Sequence, residues 1–154
     1  QLQIPGGPPV RHKFEVVARK NNLSAEVDPA VFSRIMHNLL TNAVKFSPNG
    51  GTIRIDLTLG PSQTVKVAVT DNGLGISEQD LPHIFERFYK ASSQPGRANG
   101  LGLGLFISRN LAQAMHGQLI ATSEEGKGST FMLLLPRFGH TAPIPEHQQL
   151  PDWL

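Results

Sequence analysis

The side chains best suited to chemistry lie on one arc of a helix expected over residues 29–46. With about 100° of rotation per residue, Asn38 and Asn42 are neighbours on that arc, and Lys45 follows three residues later. Asparagine is a poor helix former, so a solvated surface gives no reason for two of them there. An amide carbonyl is a hard oxygen ligand that suits Mg²⁺, and a lysine ammonium reaches phosphate. The pattern therefore indicates a site for magnesium and phosphate.

Two glycine-rich stretches fit such a site, DNGLGI at residues 71–76 and GLGLGL at residues 100–105. Glycine by itself favours turns, because it adopts positive φ without strain. Beside a magnesium- and phosphate-binding helix it also lets the backbone approach a ligand, which points to a nucleotide. Two common nucleotide motifs are absent. In EGKGST, Gly128 follows the lysine where a Walker loop needs Ser or Thr, and Ala121 stands where the leading glycine is required. Gly100, Gly102 and Gly104 are spaced G-x-G-x-G rather than G-x-G-x-x-G.

Regular hydrophobic periodicity predicts the elements around these stretches. Strands are expected at residues 13–19 (with Phe14, Val16 and Ala18 on the half-buried side), 24–28 (short), 52–59, 64–70, 118–124 and 129–135. A long helix is expected at 29–46, with Asp28 as its cap and Pro29 in its first position, and another at 103–116, ended by Gly117. Two short helices are expected after Ser77 and at 81–88. The order predicts an α+β fold, a two-layer α/β sandwich with helices on one face of a mainly antiparallel mixed sheet.

Composition limits the class of protein. The 154 residues, 39% of them hydrophobic and 17% charged, are enough for one globular domain. Fourteen basic and 12 acidic residues give a net charge of +2 without a basic run, so no nucleic-acid partner is expected. There is no cysteine, which excludes disulfides and thiolate metal sites. No apolar run could cross a bilayer and no signal peptide is visible, so this segment is expected to lack membrane contact and to be cytoplasmic, even if the parent protein is membrane-anchored.

The two ends differ from the middle of the chain. Residues 1–12 begin with a run rich in proline and glycine, and residues 139–154 contain further prolines. Both segments are predicted to be linkers or tails, which leaves 13–138 as the domain. His140 and His147 in the second tail are candidates for a metal, but they lack further ligands.

Taken together, the motifs resemble those of the catalytic ATP-binding domain of sensor histidine kinases, in the superfamily of gyrase, a heat-shock chaperone and mismatch-repair ATPases. HNLLTNAVKFS (37–47) resembles the N box, DNGLGI the first glycine box, FERFYK (85–90) the F box, GLGLGL the second glycine box and GKGSTF (126–131) the third. The five occur in family order over residues 37–131, and the resemblance extends over residues 13–136.

The resemblance implies a Bergerat-type site for ATP and Mg²⁺. Asn42 would coordinate the Mg²⁺ that bridges the phosphates, with Asn38 one turn away, and Lys45 would touch a phosphate. Asp71 would accept a hydrogen bond from the 6-amino group of adenine, which selects ATP over GTP. The glycines of the first box, Gly73 and Gly75, would let the chain pass close to the base.

The later boxes imply the rest of the site. Arg87 would join Asn38 and Lys45 as a catalytic residue, at the γ-phosphate. Residues 89–103 would form an ATP lid that becomes ordered when nucleotide binds, with Gly102 and Gly104 letting the helix N-terminus meet the phosphates. The implied nucleotide-binding set also includes Ile76, Phe88, Lys90, Gly100, Leu101, Leu103, Leu105 and Thr130.

The residues favour phosphoryl transfer over hydrolysis. Hydrolysing relatives carry a glutamate at the position of Asn38, whereas an amide cannot take a proton from water. Neutral imidazole needs no such help, because it already offers a lone pair. None of the six histidines has the context of the family's acceptor histidine. The expected partners are therefore a dimerisation and histidine phosphotransfer domain of the same parent protein and a downstream response regulator.

Two other functions remain open. An anti-sigma-type serine kinase belongs to the same superfamily but usually lacks the pairing of FERFYK with GLGLGL. A non-catalytic nucleotide-sensing module would bind ATP only to change its partner contacts. Degenerate members of that kind usually lose an N-box or glycine-box residue, and none is lost here.

Overall fold

The computed structural model describes residues 10–19, 23–91 and 101–139, within which two helices pack on one five-stranded sheet. In chain order the elements are β1 (His12–Ala18), α1 (Pro29–Lys45), β2 (Gly51–Leu59), β3 (Thr64–Asp71), α2 (Gly104–Ala114), β4 (Gln118–Glu124) and β5 (Gly128–Pro136). The strand order is β1-β2-β3-β5-β4, with β1 parallel to β2 and the other neighbours antiparallel. The predicted two-layer α+β sandwich is confirmed.

The start of α1 follows from its first residues. The Asp28 carboxylate accepts hydrogen bonds from the backbone N–H groups of Ala30 at 2.8 Å and Val31 at 3.2 Å. Pro29 occupies the first helical position, where no N–H donor is needed. The helix that carries the polar arc is therefore fixed at its first turn by the predicted cap.

The core lies between the helices and one face of the sheet. Alternate residues of the central strands point towards it, as the period of two along a strand requires. Its largest fully shielded side chains come from both layers and are at most 2% exposed: Ile35, Leu39, Ile53, Val69, Leu133 and Leu135. Burial of one such side chain contributes roughly 1.5–3 kcal/mol, so packing holds α1 on the sheet more than helix propensity does.

The prediction that one side of β1 is half-buried is wrong. Phe14 and Val16 stand opposite Ile53 and Ile55 of β2, hence on the core side of the sheet, yet they are 50% and 67% exposed. β1 is an edge strand with a neighbour on one side only. Alternation correctly shows which side chains share a face, but it does not show whether a helix covers that face.

The short helices predicted after Ser77 and at 81–88 are also wrong. This segment forms successive turns, with a 3₁₀ helix at Leu81–His83. Pro82 has no backbone N–H to donate, which disfavours a continued α-helix. The Ser77 hydroxyl accepts a hydrogen bond from the Asp80 N–H at 3.1 Å and donates one to the buried Asp80 carboxylate at 3.0 Å. Ser77 therefore makes the predicted cap contact, but on a turn that does not continue as a helix.

The predicted hairpin is confirmed, whereas the extended piece before α1 is not a strand. β2 and β3 pair in antiparallel fashion around a short 3₁₀ turn at Pro61–Gln63. Residues 24–28 contribute an isolated bridge between Ala25 and Arg137. The chain must enter the cap of α1 directly afterwards, which leaves no room for a longer ladder.

The end of α2 differs slightly from the prediction. The helix stops at Ala114, and the residue with left-handed backbone is His116 (φ 56°) rather than Gly117. Gly117 is needed for space, because a Cβ there would lie 2.6 Å from the carbonyl oxygen of Leu134. With 17 residues in α1 and 11 in α2, neither described helix is long and apolar enough to cross a membrane.

Candidate active site

A cleft of about 450 Å³ opens between α1, the start of α2 and residues at the joined ends of β3 and β5. It contains the side chains of the polar arc on α1 together with residues from both glycine-rich stretches. The predicted site residues that line it are Asn38, Asn42, Lys45, Asp71, Gly75, Ile76, Lys90, Leu101, Gly102, Leu103, Gly104 and Leu105. Residues far apart in sequence thus meet in one site.

Two predicted residues near the strand ends do not line the cleft. The Thr130 hydroxyl lies 3.0 Å from that of Thr70 on the opposite face of the sheet. Because side chains alternate along β5, Ser129 and Phe131 line the cleft instead. At Gly73 the carbonyl oxygen of Phe46 occupies the place that a Cβ would take, so this glycine serves contact between two chain segments.

Other predicted residues lie on the outside of the turn segment or beyond the described residues. Arg87 and Phe88 are exposed, and the Arg87 guanidinium lies 4.7 Å from the centre of the Phe88 ring. Gly100 and most of the predicted lid (92–100) lie outside the described residues, as do His140 and His147.

The cleft also has lining residues that the motifs did not single out: Thr41, Phe46, Ile84, Tyr89, Ala91, Ser129 and Phe131. Phe46 and Tyr89 are aromatic residues inside the quoted N-box and F-box stretches, so their place in these motifs could have identified both. Ser129 stands opposite Asp71 in the β3–β5 ladder, which a correct strand pairing would have revealed. Ala91 belongs to the predicted lid, whereas Ile84, just before the F box, carries no comparable signal.

Asp71 ends β3 and brings a buried carboxyl group to the cleft. Only 4% of the residue is exposed, and its Oδ1 accepts a hydrogen bond from the Gly73 N–H at 2.8 Å. Burial raises the pKa of this carboxyl above its ordinary value of 3.8, although hydrogen bonds from the backbone of Gly73 and Ser129 act in the opposite direction. The group is a shielded acceptor aimed at the site.

Lys45 brings a positive charge to the cleft. It lies in the last turn of α1, where a cation interacts favourably with the helix dipole. Its Nζ is 5.1 Å from the centre of the Phe46 ring, a cation–π distance. The ammonium group is therefore held at the cleft by a contact that a phosphate could replace.

The first turn of α2 also faces the cleft. Leu103, Gly104 and Leu105 line it, and within the described chain no side chain caps the helix at Leu103. The first backbone N–H groups of a helix have no partner inside the helix, and the dipole makes this end favourable for an anion. The arrangement can bind a phosphate group.

Gly75 and Gly102 show why the two stretches contain glycine. Both have left-handed backbone, with φ of 68° and 66°. A Cβ on Gly75 would collide with the carbonyl oxygen of Glu124, and one on Gly102 would lie 2.6 Å from that of Tyr89. The glycines thus allow chain segments to pack on each other, a role that the sequence analysis did not foresee.

Tyr89 ties the turn segment to a buried acid. Its hydroxyl donates a hydrogen bond to Asp80 Oδ1 at 2.6 Å, and Asp80 is 3% exposed. The hydrogen bond to this carboxylate raises the pKa of the Tyr89 phenol, so the phenol stays protonated at neutral pH. One wall of the cleft is fixed in this way.

The described residues contain no cluster of three or more histidine, cysteine, aspartate or glutamate side chains that could hold a metal. The cleft instead offers the amide oxygens of Asn38 and Asn42, one turn apart on α1. Two neutral oxygen ligands suit a hydrated Mg²⁺ that takes its other ligands from phosphate and water.

Comparison with known proteins finds a family match over residues 27–138, to the family described as histidine kinase-, DNA gyrase B-, and HSP90-like ATPase. The adaptive-response sensory kinase SasA of Synechococcus sp. (strain JA-2-3B'a(2-13)) is 41% identical over 113 residues, which cover 73% of this chain and 30% of SasA. The sensor histidine kinase WalK of Bacillus subtilis (strain 168) is 33% identical over 117 residues, covering 75% of this chain and 19% of WalK. The chain therefore spans less than a third of these relatives.

Solved structures give the same picture. The mycobacterial sensor histidine kinase MprB superposes with a TM-score of 0.72 at 29% identity, covering 81% of this chain and 83% of that one. Full-length ShkA in complex with AMPPNP superposes with a TM-score of 0.71 at 26% identity, covering 86% of this chain and 27% of that one.

Proposed function

The chain belongs to the histidine kinase-, DNA gyrase B- and HSP90-like ATPase family, as the catalytic ATP-binding domain of a sensor histidine kinase, and we propose that it presents Mg-ATP for transfer of the γ-phosphoryl group to a histidine on a separate dimerisation domain. One observation carries the proposal. A single cleft combines a buried carboxylate with amide oxygens, a lysine and an open helix N-terminus. These are the groups that an adenine base, a magnesium ion and phosphates require.

Asp71 supports adenine as the base. An ionised carboxylate only accepts hydrogen bonds, so it pairs with a donor. Adenine has a 6-amino donor, whereas guanine has a carbonyl oxygen at that position, which would face the carboxylate unfavourably. Burial of Asp71 makes this discrimination stronger, because an unmatched polar group costs more where water is excluded.

Lys45, the start of α2 and the two asparagines support the phosphates and magnesium. The ammonium of Lys45 and the open N–H groups after Leu103 would bind phosphate oxygens. Asn42, with Asn38 beside it, would hold the cation through amide oxygens. Bound Mg²⁺ would neutralise charge on the phosphates during transfer.

The lack of a free carboxylate among the described lining residues favours phosphoryl transfer over hydrolysis. Among the described lining residues Asp71 is the one carboxylate, and hydrogen bonds from the backbone already engage it. Hydrolysis would need a base to activate water, and Asn38 cannot accept a proton. An imidazole brings its own lone pair, so positioning and charge neutralisation are sufficient.

The exposed apolar residues beside the cleft support a protein acceptor. Phe88 and Leu101 are 58% and 74% exposed, and the Phe88 N–H donates to the Gly102 carbonyl oxygen at 2.9 Å, which joins the two segments. We propose that this side meets the dimerisation and histidine phosphotransfer domain of the parent protein, in the cytoplasm, and that a response regulator receives the phosphoryl group afterwards.

The test mixes the chain with a separate dimerisation domain that carries the acceptor histidine and with ATP labelled at the γ-phosphate. An acid-labile, base-stable label on the acceptor is expected, and it should disappear when the acceptor histidine is replaced. Asn42→Ala should strongly reduce labelling and should remove the magnesium-dependent part of ATP binding.

Other results would favour the alternatives. An acid-stable label on serine would indicate an anti-sigma-type serine kinase, and ATP binding without transfer would indicate a nucleotide-sensing module. The relatives described above give no support to either. Failure to bind ATP at all would contradict the proposed function.

A further inference from the structure

Ser108 lies behind the cleft on the side of α2 that faces α1. Its hydroxyl oxygen accepts a hydrogen bond from Nδ2 of Asn38 at 2.9 Å. Ser108 is 2% exposed and does not line the cleft, so a bound nucleotide would not touch it. We propose that Ser108 is a positioning residue, which fixes the amide of Asn38 so that the carbonyl oxygen, and not the NH₂ group, faces the magnesium.

Gly104 holds the other side of the same amide. A Cβ on Gly104 would lie 2.5 Å from Asn38 Oδ1, so the backbone of this residue is in contact with the oxygen. Gly104 and Ser108 are four residues apart on α2 and therefore share one face of the helix. A serine hydroxyl can pair with either end of an amide, so the contact at Gly104 decides the orientation. The oxygen lies beside the first turn of α2, where open N–H groups attract an acceptor, and the nitrogen is left for Ser108.

Serine has no advantage for packing at this position. It is a weaker helix former than alanine, and its buried hydroxyl needs a partner. Ala112, one turn further along α2, is 0% exposed and shows that this side of the helix accepts alanine. With alanine at position 108, Asn38 Nδ2 would lose its acceptor and the amide could turn about χ2, which has broad preferences. The hydroxyl therefore serves Asn38.

This inference rests on the proposed function, because the orientation of Asn38 matters only if Mg-ATP occupies the cleft. An amide that turns freely presents its NH₂ donor to the cation part of the time, whereas a fixed amide presents its oxygen. Loss of the Ser108 hydroxyl should thus weaken the effect of magnesium on ATP binding and should leave magnesium-free binding unchanged.

The experiment measures the dissociation constant for ATP with Mg²⁺ and with EDTA in the wild-type chain, Ser108→Ala, Asn38→Ala and the double variant. The strengthening by Mg²⁺ should fall about three- to tenfold in Ser108→Ala, as expected for one lost hydrogen bond to a ligand group. Affinity in EDTA should stay within about twofold. The double variant should lose no more than Asn38→Ala, because Ser108 acts through Asn38.

Ala112→Gly is the matched control. It loosens the same side of α2 without removing the Asn38 contact, so it should lower the melting temperature and keep the full magnesium effect. The inference would be overturned if Mg²⁺ strengthened ATP binding in Ser108→Ala or in Asn38→Ala as much as in the wild-type chain. It would also be overturned if the losses of the two single variants added up in the double variant. If the wild-type chain binds no ATP, the proposed function falls as well. If the wild-type chain binds Mg-ATP and Ser108→Ala shows the same magnesium effect, the inference is wrong but the proposed function is unaffected.

Discussion

Asp71 is an acid that the folded chain shields from water, and this has a consequence for stability. Its pKa is higher in the folded than in the unfolded state, because burial disfavours the ionised form. Such a group supports folding while it is protonated, and its contribution is lost as the pH rises through the folded pKa. At neutral pH the nucleotide-free domain therefore carries a buried charge that weakens it.

We expect Asp71→Asn to raise the melting temperature of the nucleotide-free domain at neutral pH by a few degrees, because the amide keeps an acceptor for the Gly73 N–H without a charge. The advantage should shrink as the pH falls towards 3.8, the ordinary value, since the wild-type carboxyl then takes up a proton. Melting curves over this pH range test the point. An advantage that stays constant with pH would contradict it.

The same side chain should be required for ATP. Asp71→Ala removes the acceptor, and the loss of one hydrogen bond to the base should weaken ATP binding by about 1–3 kcal/mol. Calorimetry measures this directly, with Glu125→Ala as the control, because Glu125 is exposed and does not line the cleft. Equal ATP affinity in Asp71→Ala and wild type would refute the assignment.

At this scale residue types marked the polar arc of α1, but they did not show which neighbouring residues reach the cleft. Asn38, Asn42 and Lys45 are unusual for a solvated helix face, so their types alone marked them. Thr130 was chosen where its neighbour Ser129 lines the cleft, because residue type does not show which of two adjacent strand residues points to a given face.

Among the elements, the link between the F-box segment and α2 depends on Gly102. Its φ of 66° disfavours any side chain, and a Cβ would also lie 2.6 Å from the Tyr89 carbonyl oxygen. We expect Gly102→Ala to separate the two segments and to reduce both stability and ATP affinity.

Gly126 provides the matched control for this substitution. It also has positive φ, 81°, but a Cβ there would meet nothing within 4 Å, and the residue does not line the cleft. Gly126→Ala should cost about 1 kcal/mol for the left-handed backbone and leave ATP affinity unchanged. Denaturation in urea and ATP titration of both variants separate the two effects. If Gly102→Ala binds ATP as Gly126→Ala does, the contact with Tyr89 has no bearing on the site.

Elements were predictable where local chemistry decides them. The cap at Asp28 and the alternation in β2 and β3 are local, and those elements form as expected. The turns at 77–88 depend on the Asp80 carboxylate, which Tyr89 engages from nine residues away. The exposure of Phe14 depends on where the helices lie over the sheet. Neither of these is visible within one segment of sequence.

In the whole molecule, the cleft joins both helices to two central strands, so nucleotide binding should stabilise the domain as a unit. Saturation with Mg-ATP at 100 times its dissociation constant should add about 2.7 kcal/mol to the free energy of unfolding. The melting transition should move up while staying single. GTP at the same concentration should shift it less. A second transition that does not respond to Mg-ATP would show that part of the described fold is independent of the site.

The contacts of the glycines bear on how such a domain would change over evolutionary time. The Cβ positions of Gly73, Gly75 and Gly102 are occupied by carbonyl oxygens of the chain itself. A copy released from selection for ATP would still be selected to keep these residues, because the fold needs them with or without a ligand. The residues free to drift would be those that face only the cleft, Asn42 and Lys45 first. A paralogue that has become a pure scaffold should therefore keep these three glycines longer than the asparagines and the lysine of its N box.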